Sequence, residues 1–206
     1  MWRTLPRANL RGDLRVKPSS KVPSACDPRL LATGTQVLLF AQAVEQAVLG
    51  VTDGSGSQVY MATGMWTMPL FLGTVVVFLG WFRRCRLNAE LFAPKTHTYA
   101  PGRALGVWFV PVVMWWAPRR AVLDIARASR PDGSTWLVNA WWAAWIAKSV
   151  AIPLYMAVDL EGSPNQPWIA AVQVLACILA IAMVQQVTAG QSSRIGRTGR
   201  QAAPAV

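Results

Sequence analysis

Two ionisable side chains stand inside otherwise apolar stretches: Glu45 within residues 30–51 and Lys148 within residues 134–158. A charge in hydrocarbon costs a few kcal/mol or more, so such residues call for a partner or a wet cavity. Glu45 is sixteen residues past Arg29 and Lys148 fourteen past Ser134. As helix, these spacings put both about 21–24 Å from the same membrane surface, where the two can meet. Thr35, Gln42, Glu45 and Gln46 share one helical face, and Asn139 and Ser149 add polar groups to the second stretch. That pattern suits a solute or proton path. It also suits interhelical fasteners, each worth about 0.5–2 kcal/mol in a bundle without a hydrophobic driving force.

Other chemistry is sparse. Cys26, Cys85 and Cys177 share no short spacing and His97 is the single histidine, so neither a metal cluster nor a disulfide framework is expected. No nucleophile and base pair, paired acid motif or glycine-rich phosphate loop is present, which leaves no catalytic residue to name and no cofactor to expect. Of the eleven tryptophans, Trp66, Trp81, Trp136 and Trp168 fall where an interfacial belt would sit. Trp108, Trp115, Trp116, Trp141, Trp142 and Trp145 lie deeper, and Trp141, Trp145 and Lys148 recur on one helical face. They suit packing, a cation–π contact to Lys148, or an aromatic pocket for a cationic or lipidic ligand. Arg83, Arg84, Arg86, Asn88, Arg119, Arg120 and Arg127, with Arg130, form a set for anionic lipid headgroups or a partner, although topology alone would place arginines there.

These residues must be positioned by membrane helices. Of 206 residues, 53% are hydrophobic and 14% charged, against about a quarter charged in a soluble domain. The +11 net charge would suggest nucleic acid in a soluble protein, but its placement points elsewhere. Seven basic residues precede the first apolar run, nine lie between Arg83 and Arg130, three follow Gln191, and Lys148 alone is inside a run. Spans at about 30–51, 66–82, 134–158 and 168–187 put every basic residue except Lys148 on one side, with both termini cytoplasmic. The second helix is expected to continue to Phe92, since Arg86 and Glu90 are four apart. Gly73 and Gly80, seven apart within it, offer a weak sign of close helix approach.

Residues 104–117 give about 21 Å of helix, short of the roughly 30 Å hydrocarbon core, and Pro111 interrupts them. If they crossed, the following arginines would lie outside; a re-entrant or interfacial hairpin avoids this. Residues 118–130 read as an amphipathic surface helix started by Pro118. The expected fold is all-α: a polytopic bundle of four spans (29–188) with that hairpin and surface helix, between a disordered basic arm (1–28) and a disordered tail (189–206).

The middle of the chain resembles a bacterial, largely actinobacterial membrane family, domain of unknown function 4328. The resemblance covers roughly residues 66–185 and rests on Trp81-Phe82-Arg83-Arg84-Cys85-Arg86-Leu87-Asn88-Ala89, Pro101-Gly102, Trp108-Phe109-Val110-Pro111, Pro118 and Trp141-Trp142 with Trp145. Met114 and Ala117 stand where that family favours asparagine and a basic residue. The resemblance implies a membrane protein and carries no activity.

The leading expectation is a non-enzymatic scaffold or interaction protein of a bacterial inner membrane, its basic cytoplasmic face binding a partner or anionic lipid, with no nucleic acid and with homo-oligomers possible. The alternative is a small oligomeric transporter or channel using Gln42, Glu45, Gln46 and Lys148, which requires a polar cavity between the first and fourth apolar segments.

Overall fold

The computed structural model describes residues 25–52, 58–158 and 166–202. Residues 1–24 of the expected arm (1–28), both expected outer loops and the last four residues lie outside the described residues. The described chain is all-helical, in the order α1 (Arg29–Val51), α2 (Gln58–Phe92), α3 (Pro101–Gly106), a 3-10 turn (Val113–Trp115), α4 (Ala117–Ser129), α5 (Trp136–Val158) and α6 (Pro167–Ala202).

Local chemistry sets the boundaries. The Arg29 N–H donates to the Asp27 carboxylate at 3.0 Å, and Ala32 N–H to the Pro28 carbonyl at 3.0 Å, which starts α1. Prolines open α3 and α4, where a missing N–H costs nothing. Lys95, in the left-handed region at φ 62°, lies in the turn that follows α2. Between α3 and the 3-10 turn the chain is not helical. Val112 has φ 69° and ψ −55°, and Val113 N–H donates to the Pro111 carbonyl at 2.8 Å. This is a γ-turn of the rare positive-φ kind, strained for a β-branched residue. Residues 104–117 therefore contain no helix of spanning length.

The long helices pack in the order α2, α1, α6, α5. Side chains bridge the remaining side, where Phe78 of α2 meets Trp141 of α5 at 6.3 Å between ring centres. Across the basic end lies α4, packed on α2, α5 and α6. It buries Ala121, Val122, Ile125 and Ala128 and exposes Arg120 and Arg127, the amphipathic division that its sequence predicts.

Among the described residues two helices are long and apolar enough to cross a membrane, Gln58–Phe92 and Pro167–Thr198. Only 17% and 33% of their most apolar windows are buried within the protein, whereas the core helix of a soluble domain would be mostly covered. Val37, Phe40, Met65, Leu72, Val76, Leu154, Leu175 and Ile178 all face outward.

Several boundaries differ from expectation. α2 begins at Gln58, eight residues before the span expected from 66, and runs through Pro69. α6 runs on to Ala202, through much of the expected tail. The extension is held by Gln191, fully buried, and by Arg194, whose guanidinium donates to the Ala128 carbonyl at 2.7 Å and lies over the Phe92 ring. Close approach occurs at other glycines than the expected pair. A Cβ at Gly73 would meet nothing and one at Gly80 only Leu31 at 3.9 Å, whereas one at Gly50 would collide with Ala170 and one at Gly190 would lie 2.9 Å from Arg130 Cγ.

Candidate functional site

Glu45 of α1 and Lys148 of α5 come from opposite sides of the ring of helices and line one cavity of about 130 Å³. Its wall also includes Gln42 and Gln46 of α1, Thr67, Met68 and Phe71 of α2, and Gln173 and Cys177 of α6. The space suffices for several water molecules or one small polar solute. Glu45 is buried at 7% exposure and accepts a hydrogen bond from the Thr67 hydroxyl. Among the described residues Glu45 and Lys148 form no ion pair with each other. Nor do the side chains of Lys148, Gln42, Gln46 and Gln173 make any hydrogen bond among those residues. The cavity thus carries one carboxylate, one ammonium and three amides whose hydrogen-bonding capacity is largely unspent.

The sequence named Gln42, Glu45, Gln46 and Lys148 as a group, and they sit together. Thr67, Gln173 and Cys177 were missed. Gln173 and Cys177, four apart in a run of apolar residues, mark one face of α6 and were legible by the spacing that picked out Glu45. Thr35, expected on the polar face, is fully buried and donates to the Leu31 carbonyl at 2.8 Å instead. Asn139 and Ser149 are likewise spent elsewhere, on Arg119 and on the Trp145 carbonyl.

One to two helical turns toward the basic end, aromatic rings close the bundle. Trp108, delivered by the segment after α3, sits edge-on to Phe78 at 5.2 Å and to Phe82 at 5.7 Å, with Trp141 at 6.4 Å. Trp142 stacks on Trp145 at 4.7 Å, and Trp115 reaches Trp145 at 6.0 Å. The expected cluster is thus a chain of packed rings wedged between α2 and α5. Trp116 is the exception, 44% exposed and outside these contacts. Lys148 makes no cation–π contact among the described residues, where that role falls to Arg194. Trp81, expected at an interface, is 1% exposed and donates its indole N–H to Thr188 at 3.0 Å.

The basic end holds a second polar cluster, and it removes residues from the expected lipid-contact set. Asn88 is 2% exposed. Its amide donates to the Cys26 carbonyl at 2.7 Å and to Gln191 Oε1 at 2.9 Å, and accepts from Cys26 N–H at 3.0 Å, while Gln191 Nε2 donates to the Cys85 carbonyl at 2.9 Å. Arg86, also 2% exposed, donates to the Tyr99 carbonyl at 2.6 Å and to Glu90 at 2.9 Å. Arg119 grips the Asn139 side-chain oxygen with two N–H groups, at 2.7 and 3.0 Å. Asn88 and Arg86 are therefore internal braces, because a buried donor must be paired within the fold, while Arg119, half-buried, has its guanidinium engaged by Asn139. Arg83, Arg84, Arg120 and Arg127 remain exposed.

Beside this clasp, His97 is nearly buried, its Nδ1 3.5 Å from Glu90 Oε2. Neither ring nitrogen has a hydrogen bond among the described residues. Burial pushes the imidazole below the ordinary histidine range, with Arg86 adding to the shift and Glu90 and Asp124 opposing it. Glu90 is held below the usual carboxylate range by the Arg86 hydrogen bond first, then by Lys95 N–H. Among the described residues no cluster of metal-ligating side chains occurs.

No curated protein and no solved structure matches this chain. A family model does: the one described as a domain of unknown function (DUF4328) matches residues 41–189. The match begins before the expected 66 and takes in every residue that lines the cavity. With most of its length covered, from the cavity-lining face of α1 to the buried end of α6, the chain belongs to the DUF4328 family.

Proposed function

We propose that this chain is a non-enzymatic, multi-pass protein of a bacterial inner membrane that conducts a small polar solute through the cavity among α1, α2, α5 and α6. All four helices cross the bilayer in this account, with both termini on the cytoplasmic side, and residues 104–117 re-enter from that side to seal the bundle with Trp108. The convergence of Gln42, Glu45, Gln46 and Lys148 on one cavity carries the reading, because ionisable groups are kept inside a membrane chiefly where solute, ion or proton moves. Outward-facing apolar side chains and a one-sided arginine distribution support the four crossings.

Reconstituted vesicles provide the test. Proteoliposomes are challenged with glycine, urea or glycerol under osmotic stress, and with a proton gradient read by a pH-sensitive dye. At least one probe equilibrates faster than in protein-free vesicles, and Glu45→Gln or Lys148→Met slows it about tenfold. Vesicles holding folded protein yet tight to every probe would overturn the conducting role. Single cysteines at Ser55 and Ser163 should label from outside intact cells, and one at Thr96 only after lysis; outside labelling at Thr96 would overturn the topology.

The exposed set Arg83, Arg84, Arg120 and Arg127 favours a second role, docking anionic lipid headgroups on the cytoplasmic face. Enrichment of phosphatidylglycerol over phosphatidylcholine around the purified protein, lost when these four become glutamine, would support it, and equal retention of both lipids would remove it.

A further inference from the structure

The cavity's charge layout points to a class of ligand, an inference that rests on the cavity being a binding site. We propose that it receives a small zwitterion, of the size and charge separation of glycine or alanine. Glu45 and Lys148 face one cavity from α1 and α5, on opposite sides of the ring of helices, and are not paired with each other among the described residues. A carboxylate and an ammonium that only lacked a partner would gain most by closing on each other, since attraction rises steeply as distance and dielectric fall. Here Thr67 holds the carboxylate on the α1–α2 side, away from that option.

Each simpler ligand leaves one charge uncompensated. A monocation satisfies Glu45 but is repelled by Lys148, and a monoanion meets the reverse. A neutral solute compensates neither, and uncompensated charge in a low-dielectric setting is costly. A molecule with an ammonium and a carboxylate a few ångströms apart answers both, its carboxylate to Lys148 and its ammonium to Glu45. Gln42, Gln46 and Gln173 supply donors and acceptors for the remaining hydrogen bonds, and Met68 and Phe71 offer an apolar wall for a methyl-sized side chain. The volume, about 130 Å³, suits a ligand of this size better than one with a long or aromatic side chain.

The test is thermal unfolding of the protein in lipid nanodiscs, followed by tryptophan fluorescence, with glycine, alanine, phenylalanine, methylammonium, acetate and acetamide added singly. Glycine and alanine should raise the midpoint at millimolar concentration while the other four do not. Glu45→Gln and Lys148→Met should each weaken the glycine response tenfold or more. Methylammonium, acetate or acetamide acting as well as glycine would overturn the zwitterion assignment while leaving a cavity that binds small solutes. No response to any compound, together with tight proteoliposomes, would remove the cavity as a site altogether. The ligand series on the unmodified protein decides the question even if a variant fails to fold.

Discussion

Replacing Asn88 by alanine tests the polar clasp at the basic end. The substitution removes three hydrogen bonds, two to the Cys26 backbone and one to Gln191 Oε1. Cys26 is exposed, so its N–H and carbonyl rehydrate, and each loss is worth about 0.5–1.5 kcal/mol. Gln191 is fully buried, so its oxygen is stranded at a cost of about 1–3 kcal/mol. The total is about 2–6 kcal/mol, a large fraction of a typical folding free energy. It should appear as a lowered unfolding midpoint in detergent or nanodiscs, read by the fluorescence of Trp81, which bonds to Thr188 one turn before Gln191 on α6. Because Asn88 and Gln191 share a bond, Asn88→Ala combined with Gln191→Leu should cost less than the sum of the two, by about 0.5–3 kcal/mol. An Asn88→Ala protein within about 0.5 kcal/mol of the parent, or strict additivity with Gln191→Leu, would refute the reasoning.

Acidification should loosen the segment around His97. Folded His97 binds its proton more weakly than in the unfolded chain, so the unfolded state takes up more protons just below the ordinary value of 6.5, and stability falls as pH drops through that value. Glu90, also lowered, adds a second loss below 4.5. The protection of residues 93–100 against hydrogen exchange, taken relative to the intrinsic rate at each pH, should therefore fall from pH 7 to pH 5.5, and His97→Gln should abolish that first step; a flat protection profile in the parent would contradict it. Val112→Gly should raise stability by about 1 kcal/mol, the relief of a positive φ less the added freedom of the unfolded chain, and a lowered midpoint would contradict the strain. Gly50→Ala should cost about 1–3 kcal/mol by forcing α1 from α6 at Ala170, while Gly73→Ala should be neutral or slightly stabilising; equal effects of the two in thermal unfolding would contradict the packing.

Much of this was legible from spacing. Uninterrupted apolar runs located the long helices, Pro118 and the Arg120, Asp124, Arg127 pattern located α4, and equal helical depth put Glu45 and Lys148 at one level. What escaped was partner choice. Arg86 looks like any other arginine at a helix end, and only the fold brings the Tyr99 carbonyl to it and takes it out of the surface. Trp81 carries the mark of an interfacial tryptophan, yet Thr188, more than a hundred residues away, draws it inside. The length of α6 was hidden for the same reason: nothing local near residue 189 says that Gln191 will meet Asn88. Gly50 was overlooked because close approach depends on which helix faces it, whereas Gly73 and Gly80 were picked by period alone. At the cavity, the isolated charges announced themselves by their cost, and the neutral Thr67, Gln173 and Cys177 did not.

Cys177 allows the central claim, a water-accessible polar cavity within the bundle, to be measured directly. It lines the cavity beside Lys148, while Cys85 is fully buried and Cys26 can be replaced by serine. In membranes, Cys177 should react with a small water-soluble methanethiosulfonate reagent, and a cationic reagent should slow severalfold when Glu45→Gln removes the carboxylate that attracts it. Reaction only with a lipid-soluble maleimide, or only after denaturation, would mean that this face of α6 meets hydrocarbon or packed protein rather than water, and would contradict the account.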